Sequence, residues 1–132
     1  MNATPHPLIS TYAARHGLAP STRADGRVTV VIDDRYRVHL LAGRDGWLVL
    51  SARLCALPAR QAGRDELMQE IGKLAAGMLA RHAAACVVDP QERALWLQQL
   101  LRPDSSELAL DEAMGAFANA LSFWAGAVRR LA

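Results

Sequence analysis

Hydrophobic positions along this chain switch between helical and strand periods, and the order of the switches predicts its elements. Leu8, Ile9, Tyr12, Ala13 and His16 recur with helical spacing. Pro7 suits the first turn of that helix, where its missing N–H needs no partner, and Gly17 suits the stop. Residues 27–33 (RVTVVID), 36–42 (YRVHLLA) and 47–54 then read as strands. Asp34-Arg35 and Gly43-Arg44-Asp45-Gly46 supply the turns between them. Connections this short exclude parallel crossovers, so the three strands form an antiparallel meander.

Alternation divides the meander into two faces. Val28, Val30, Ile32, Tyr36, Val38, Leu40, Leu48, Leu50 and Leu54 form a core face. The other face holds Thr29, Val31, Arg37, His39, Leu41, Trp47, Val49, Ser51 and Arg53. That second face is more apolar than a solvated sheet usually is. Either another element of the chain covers it, or it docks a second polypeptide.

After Leu57-Pro58 and a loop through Gly63, a second helix begins at Arg64 or Asp65. Leu67, Ile71, Leu74 and Met78 make one stripe on it, and Met68, Ala75 and Leu79 a second beside it. An arc this wide predicts two buried sides, one within the subunit and one against a partner. Residues 86–88 form a short strand, 89–92 (DPQE) a turn, and 93–101 (RALWLQQLL) a strand paired with the previous one. A final helix starts between Ser106 and Asp111 and carries Leu110, Met114, Phe117, Leu121, Trp124, Val128 and Leu131 in steps of four and three. The 132 residues make one domain of α+β class, with residues 1–7 a loose tail and 19–27 a loop.

Composition narrows the function classes. With 52% hydrophobic and 21% charged residues, this is a folding sequence and not a disordered one. The formal charge is +2, and the arginines are interleaved with acids and not gathered on one stretch. A nucleic-acid-binding or regulatory role therefore rests on the mildly basic balance alone. No segment approaches the roughly 20 apolar residues of a membrane span, and the start of the chain lacks a signal-like apolar core. The expectation is a cytoplasmic protein with two reduced cysteines, Cys55 and Cys86, that act as small hydrophobes.

Chemistry has little to stand on. His82, Cys86 and Cys55 do not complete a tetrahedral metal set. Cys86 with His82 or His39 would make a small thiol enzyme, but neither cysteine sits at a helix start or glycine-rich turn that activates a thiol. Asp33-Asp34 with Asp25 reads as turn chemistry before it reads as a cation site. Phosphate loops, nucleophile elbows and zincin motifs are absent. Neither a catalytic group, a cofactor nor a metal is expected.

The ordered set of segments resembles the small class I chaperones of bacterial type III secretion, the CesT-like Tir chaperone family. DGRVTVVIDDRYRVHLL followed by WLVLSARLCALP is similar to the family's first sheet segment. ELMQEIGKLAAGMLARHAAA is similar to its central helix, RALWLQQLL to its late strand, and LDEAMGAFANALSFWAGAVRRL to its last helix. The resemblance spans roughly Leu8 to Leu131. It implies an α/β sandwich of helix, three-stranded meander, helix, strand pair and helix, and a homodimer without enzymatic activity. It also implies binding of the extended N-terminal region of a secreted effector, held soluble and ready for export. The expected partners are a second copy, the effector and, further along the route, the export ATPase, with no nucleic acid and no stable membrane insertion. Leu8, Tyr12, Thr29, Val31, His39, Leu41, Trp47 and Val49 are the candidate effector contacts. Met68, Ile71, Ala75, Met78 and Trp96 are the candidate dimer contacts.

Overall fold

A computed structural model describes residues 6–18, 26–78, 80–89, 91 and 93–131. The elements in chain order are α1 (Pro7–Arg15), β1 (Val28–Ile32), β2 (Tyr36–Ala42), a 3-10 turn (Arg44–Gly46), β3 (Leu48–Ala56), α2 (Gln61–Met78), β4 (Ala85–Asp89), β5 (Ala94–Leu101) and α3 (Glu107–Leu131). Most of the expected tail (1–7) and of the loop at 19–27 lies outside the described residues, as do Leu79, Pro90 and Glu92.

The meander and the strand pair belong to one sheet. β5 pairs with β3 from Leu48↔Leu101 to Ala56↔Ala94, giving an antiparallel order β1-β2-β3-β5-β4. The residues of β5 account for this central position. Ala94, Leu95 and Leu97 are fully buried, as a strand with neighbours on both sides requires. A register shift between Arg53 and Cys55 marks a bulge in β3. Ala52, 1% exposed, continues the core row of Leu48 and Leu50, and Leu54 beyond it is partly buried against the core.

Turns close the hairpins with residues that tolerate positive φ. Asp33 and Asp34 have φ of 54° and 52°, and the Arg35 N–H donates to the Ile32 carbonyl at 3.0 Å. The turn is therefore centred one residue earlier than the expected Asp34-Arg35. Short acidic side chains bond locally to the backbone and stabilise this left-handed geometry.

α3 lies across β3 and β5, and α1 rests on α3. Leu110, Met114, Phe117, Leu121, Trp124 and Val128 are all buried, so the stripe of steps of four and three is the core side of α3. Ser106 caps the helix, its Oγ accepting the Ala109 N–H at 3.1 Å. α1 is held at both ends. His6 Nδ1 accepts the Leu8 N–H at 3.1 Å, so His6 Nε2 carries the proton and donates to the Gly46 carbonyl at 2.7 Å. Arg15 pairs with Asp111 at 2.7 Å and Glu107 at 3.5 Å on α3. Between these ties Ile9, Tyr12 and Ala13 enter the core.

α2 starts at Gln61, about a turn earlier than the sequence suggests. Gly63 is part of the helix, because a Cβ there would stand 3.0 Å from Pro58 Cβ. Arg64 Nε donates to the Pro58 carbonyl at 2.6 Å and fixes the same corner. α2 flanks β4, and only Ile71 of its apolar arc is fully buried.

Candidate functional site

The sheet face turned away from α1 and α3 is built of three cross-strand rows. Thr29, His39, Ser51, Gln98 and Ala85 are successive pairing partners across all five strands. Leu41, Val49 and Leu100 form a row on one side of them. On the other side, Val31 pairs with Arg37, and Arg53 with Trp96, which pairs with Val87. Arg37 and Arg53 each lie two residues beyond the last β2–β3 pair, His39↔Ser51.

This face stays open. Val31 is 57% and Leu100 60% exposed, and Thr29, Arg37, Arg53 and Ala85 are exposed beside them. A groove of about 420 Å³ runs over its middle, lined by Arg27, His39, Ser51, Asp89, Trp96 and Gln98 among others. Thr29 Oγ1 and His39 Nδ1 share a hydrogen bond at 2.9 Å, and the His39 ring lies 6.1 Å from the Trp96 ring. Ser51 is buried on this side, and Trp96 Nε1 is buried with no hydrogen-bond partner. An orphaned indole donor is costly and marks a place where an acceptor would fit.

The candidate effector contacts divide between two sides of the molecule. Thr29, Val31, His39, Leu41 and Val49 share the open face. Trp47 joins them at the rim, where it and Val49 crowd Gly43. Leu8 and Tyr12 lie on the helical side, Tyr12 being 7% exposed and Leu8 packed against the core. Sequence reasoning did not reach Leu100, Gln98 and Val87, which extend the open face. The alternation Trp96, Gln98, Leu100 was its only trace, because the β3–β5 pairing joins segments distant in sequence.

The candidate dimer contacts divide as well. Met68, Ile71, Ala75 and Met78 line a crevice of about 240 Å³ with Cys86 and Trp124, on the helical side. Ile71 is 3% exposed and belongs to the core, whereas Met68 is 37% exposed. Trp96 stands on the opposite face of the sheet. Val88 of β4, at the same end of the molecule as α2, is 41% exposed.

The thiols are held protonated. Burial pushes Cys86 up to about 12, with Cys55 adding to the shift. Burial also raises Cys55, against an opposing pull from Arg53. Among the described residues no three His, Cys, Asp or Glu side chains are grouped to hold a metal ion.

Residues 7–129 match the model of the Tir chaperone protein (CesT) family. The chain belongs to that family. Solved structures share the fold of this CesT-family protein. The ExsC–ExsE complex superposes with a TM-score of 0.67 at 15% identity, covering 91% of this chain and 90% of that one. The Yersinia pestis type III secretion chaperone SycH, in complex with a stable fragment of YscM2, gives 0.61 at 21% identity, covering 92% and 99%. The HopA1–SchA chaperone–effector complex gives 0.67 at 14% identity, covering 90% and 91%. No curated protein matches the sequence. The family is one of chaperones, not of enzymes.

Proposed function

We propose that this CesT-family protein is a dimeric chaperone that binds the extended N-terminal region of a type III secreted effector in the bacterial cytoplasm. The observation that carries the reading is the open sheet face, where Val31, Leu41, Val49, Trp96 and Leu100 form an apolar surface that no described helix covers. An extended client needs shallow apolar patches and a strand edge. β1 is such an edge, since β2 is its only strand neighbour among the described residues. Each well-buried anchor contributes about 1.5–3 kcal/mol, offset by the ordering of a disordered segment.

The second copy is assigned to the other end. Of the described α2 arc only Ile71 is fully buried, and Met68 and Val88 are exposed there. Joining two copies at α2 and β4 leaves both β1 edges and both open faces for the effector, and a loaded dimer is what the export ATPase would receive. No helix of the described residues is long and apolar enough to cross a membrane.

Co-expression with effectors of the same bacterium tests the reading. The wild type yields a soluble complex, while Val31→Asp and Trp47→Asp lose the effector and keep the dimer. Normal effector recovery by both variants contradicts the placement of the client on this face.

A further inference from the structure

Arg37 and Arg53 are exposed, and neither has an ion-pair or hydrogen-bond partner among the described residues. They stand on the neighbouring strands β2 and β3, each two residues beyond the last pair of that ladder, His39↔Ser51. Like charges directly opposite across strands destabilise a sheet. Here the two charges stand in one row, between an exposed Val31 on β1 and Trp96 with Val87 on β5 and β4. An anion between the guanidinium groups would turn the repulsion into two charge-assisted hydrogen bonds.

Spacing gives the ligand its pattern. Neighbouring strands lie about 4.8 Å apart, so the row from Val31 to Val87 spans about 19 Å. In an extended peptide laid across the strands, side chains on one face recur about every 6.8 Å. With one such side chain over Val31, the next falls about midway between Arg37 and Arg53, and the third reaches Trp96. The geometry points to recognition of an extended segment of the pattern apolar-x-acidic-x-apolar, its carboxylate clamped by Arg37 and Arg53. The occupant is an acidic client segment and not a second copy, because a self-paired face would bring four unpaired arginines together. The inference rests on the effector-binding reading above and adds the chemistry of the segment.

The test uses three fluorescein-labelled peptides, each of 11 residues in a Ser/Gly background, with centres Leu-Ser-Glu-Ser-Leu, Leu-Ser-Gln-Ser-Leu and Leu-Ser-Lys-Ser-Leu. Anisotropy titrations on the full chain are expected to favour the Glu peptide over the Gln peptide at least tenfold at low salt, with the Lys peptide weakest. The preference shrinks as salt is raised. The double variant R37E/R53E reverses the order, and R37Q/R53Q abolishes it; both substitute exposed positions, and circular dichroism confirms the fold. Equal affinity for the three peptides, or an unchanged order in R37E/R53E, overturns the clamp and leaves the effector reading standing. Saturable binding of none of the peptides also overturns the clamp, and the effector reading is then judged by its own co-expression test. A change of oligomeric state in R37E/R53E makes the row an interface between copies and likewise overturns the proposal.

Discussion

Cys86 faces the crevice beneath α2, and burial raises its thiol from an ordinary value of 9.0 to about 12. Two outcomes follow from that one shift. At pH 8 the native thiol reacts with a disulfide reagent roughly a hundredfold or more slowly than the unfolded chain, because the thiolate is the nucleophile. Stability depends on pH with a definite sign. Between pH 9 and 12 the unfolded thiol loses its proton while the native one keeps it, so stability is full below pH 9 and falls as pH rises through this window. Urea melts at pH 8 and 10.5 check this: the loss is smaller in Cys86→Ala than in the wild type. Rapid, selective labelling of native Cys86 at neutral pH would instead indicate a working thiol. The apolar surroundings of Cys86 were legible in the sequence, where alanines and valines flank it. The bulge between Arg53 and Cys55 was not, because it shows no mark in the alternation until the partner strand is known.

At the scale of elements, contacts at the helix ends fix where the helices begin. α3 begins where Ser106 Oγ takes the Ala109 N–H. Ser106→Ala is expected to cost about 1 kcal/mol, read as a lower urea midpoint with an unchanged slope. Ser106→Asp retains the cap and the stability. A Ser106→Ala midpoint equal to the wild type's would show that the helix starts elsewhere. α3 itself was readable from its stripe, because a long helix that buries one side must repeat its apolar residues. The start of α2 was harder. Gly63 looks like a loop residue, and only the close approach to Pro58 explains why a glycine stands inside the helix. β5 was recognised as a strand from its length and the preceding turn, but its place between β3 and β4 depends on non-local pairing that no local pattern encodes. The open face was correspondingly seen only in part. Thr29, Val31, His39, Leu41 and Val49 were legible from alternation in β1 to β3, whereas Leu8 and Tyr12 were drawn in by apolarity alone.

At the scale of the whole molecule, the described residues leave apolar surface open at α2 and β4 and on the open sheet face. The first is assigned to a second copy and the second to a client. Met68→Glu puts a charge on the exposed part of α2 and is expected to shift sedimentation from dimer to monomer with the fold retained. A dimer unchanged by that substitution would move the self-interface away from α2. The assignment of the client is tested most directly by hydrogen–deuterium exchange on the chaperone alone and on the complex recovered by co-expression with its effector. Slowed exchange is expected in β1, the free edge beside the open face, with little change in α3. Slowing confined to the outer sides of α1 and α3, with β1 exchanging as in the free chaperone, would contradict it.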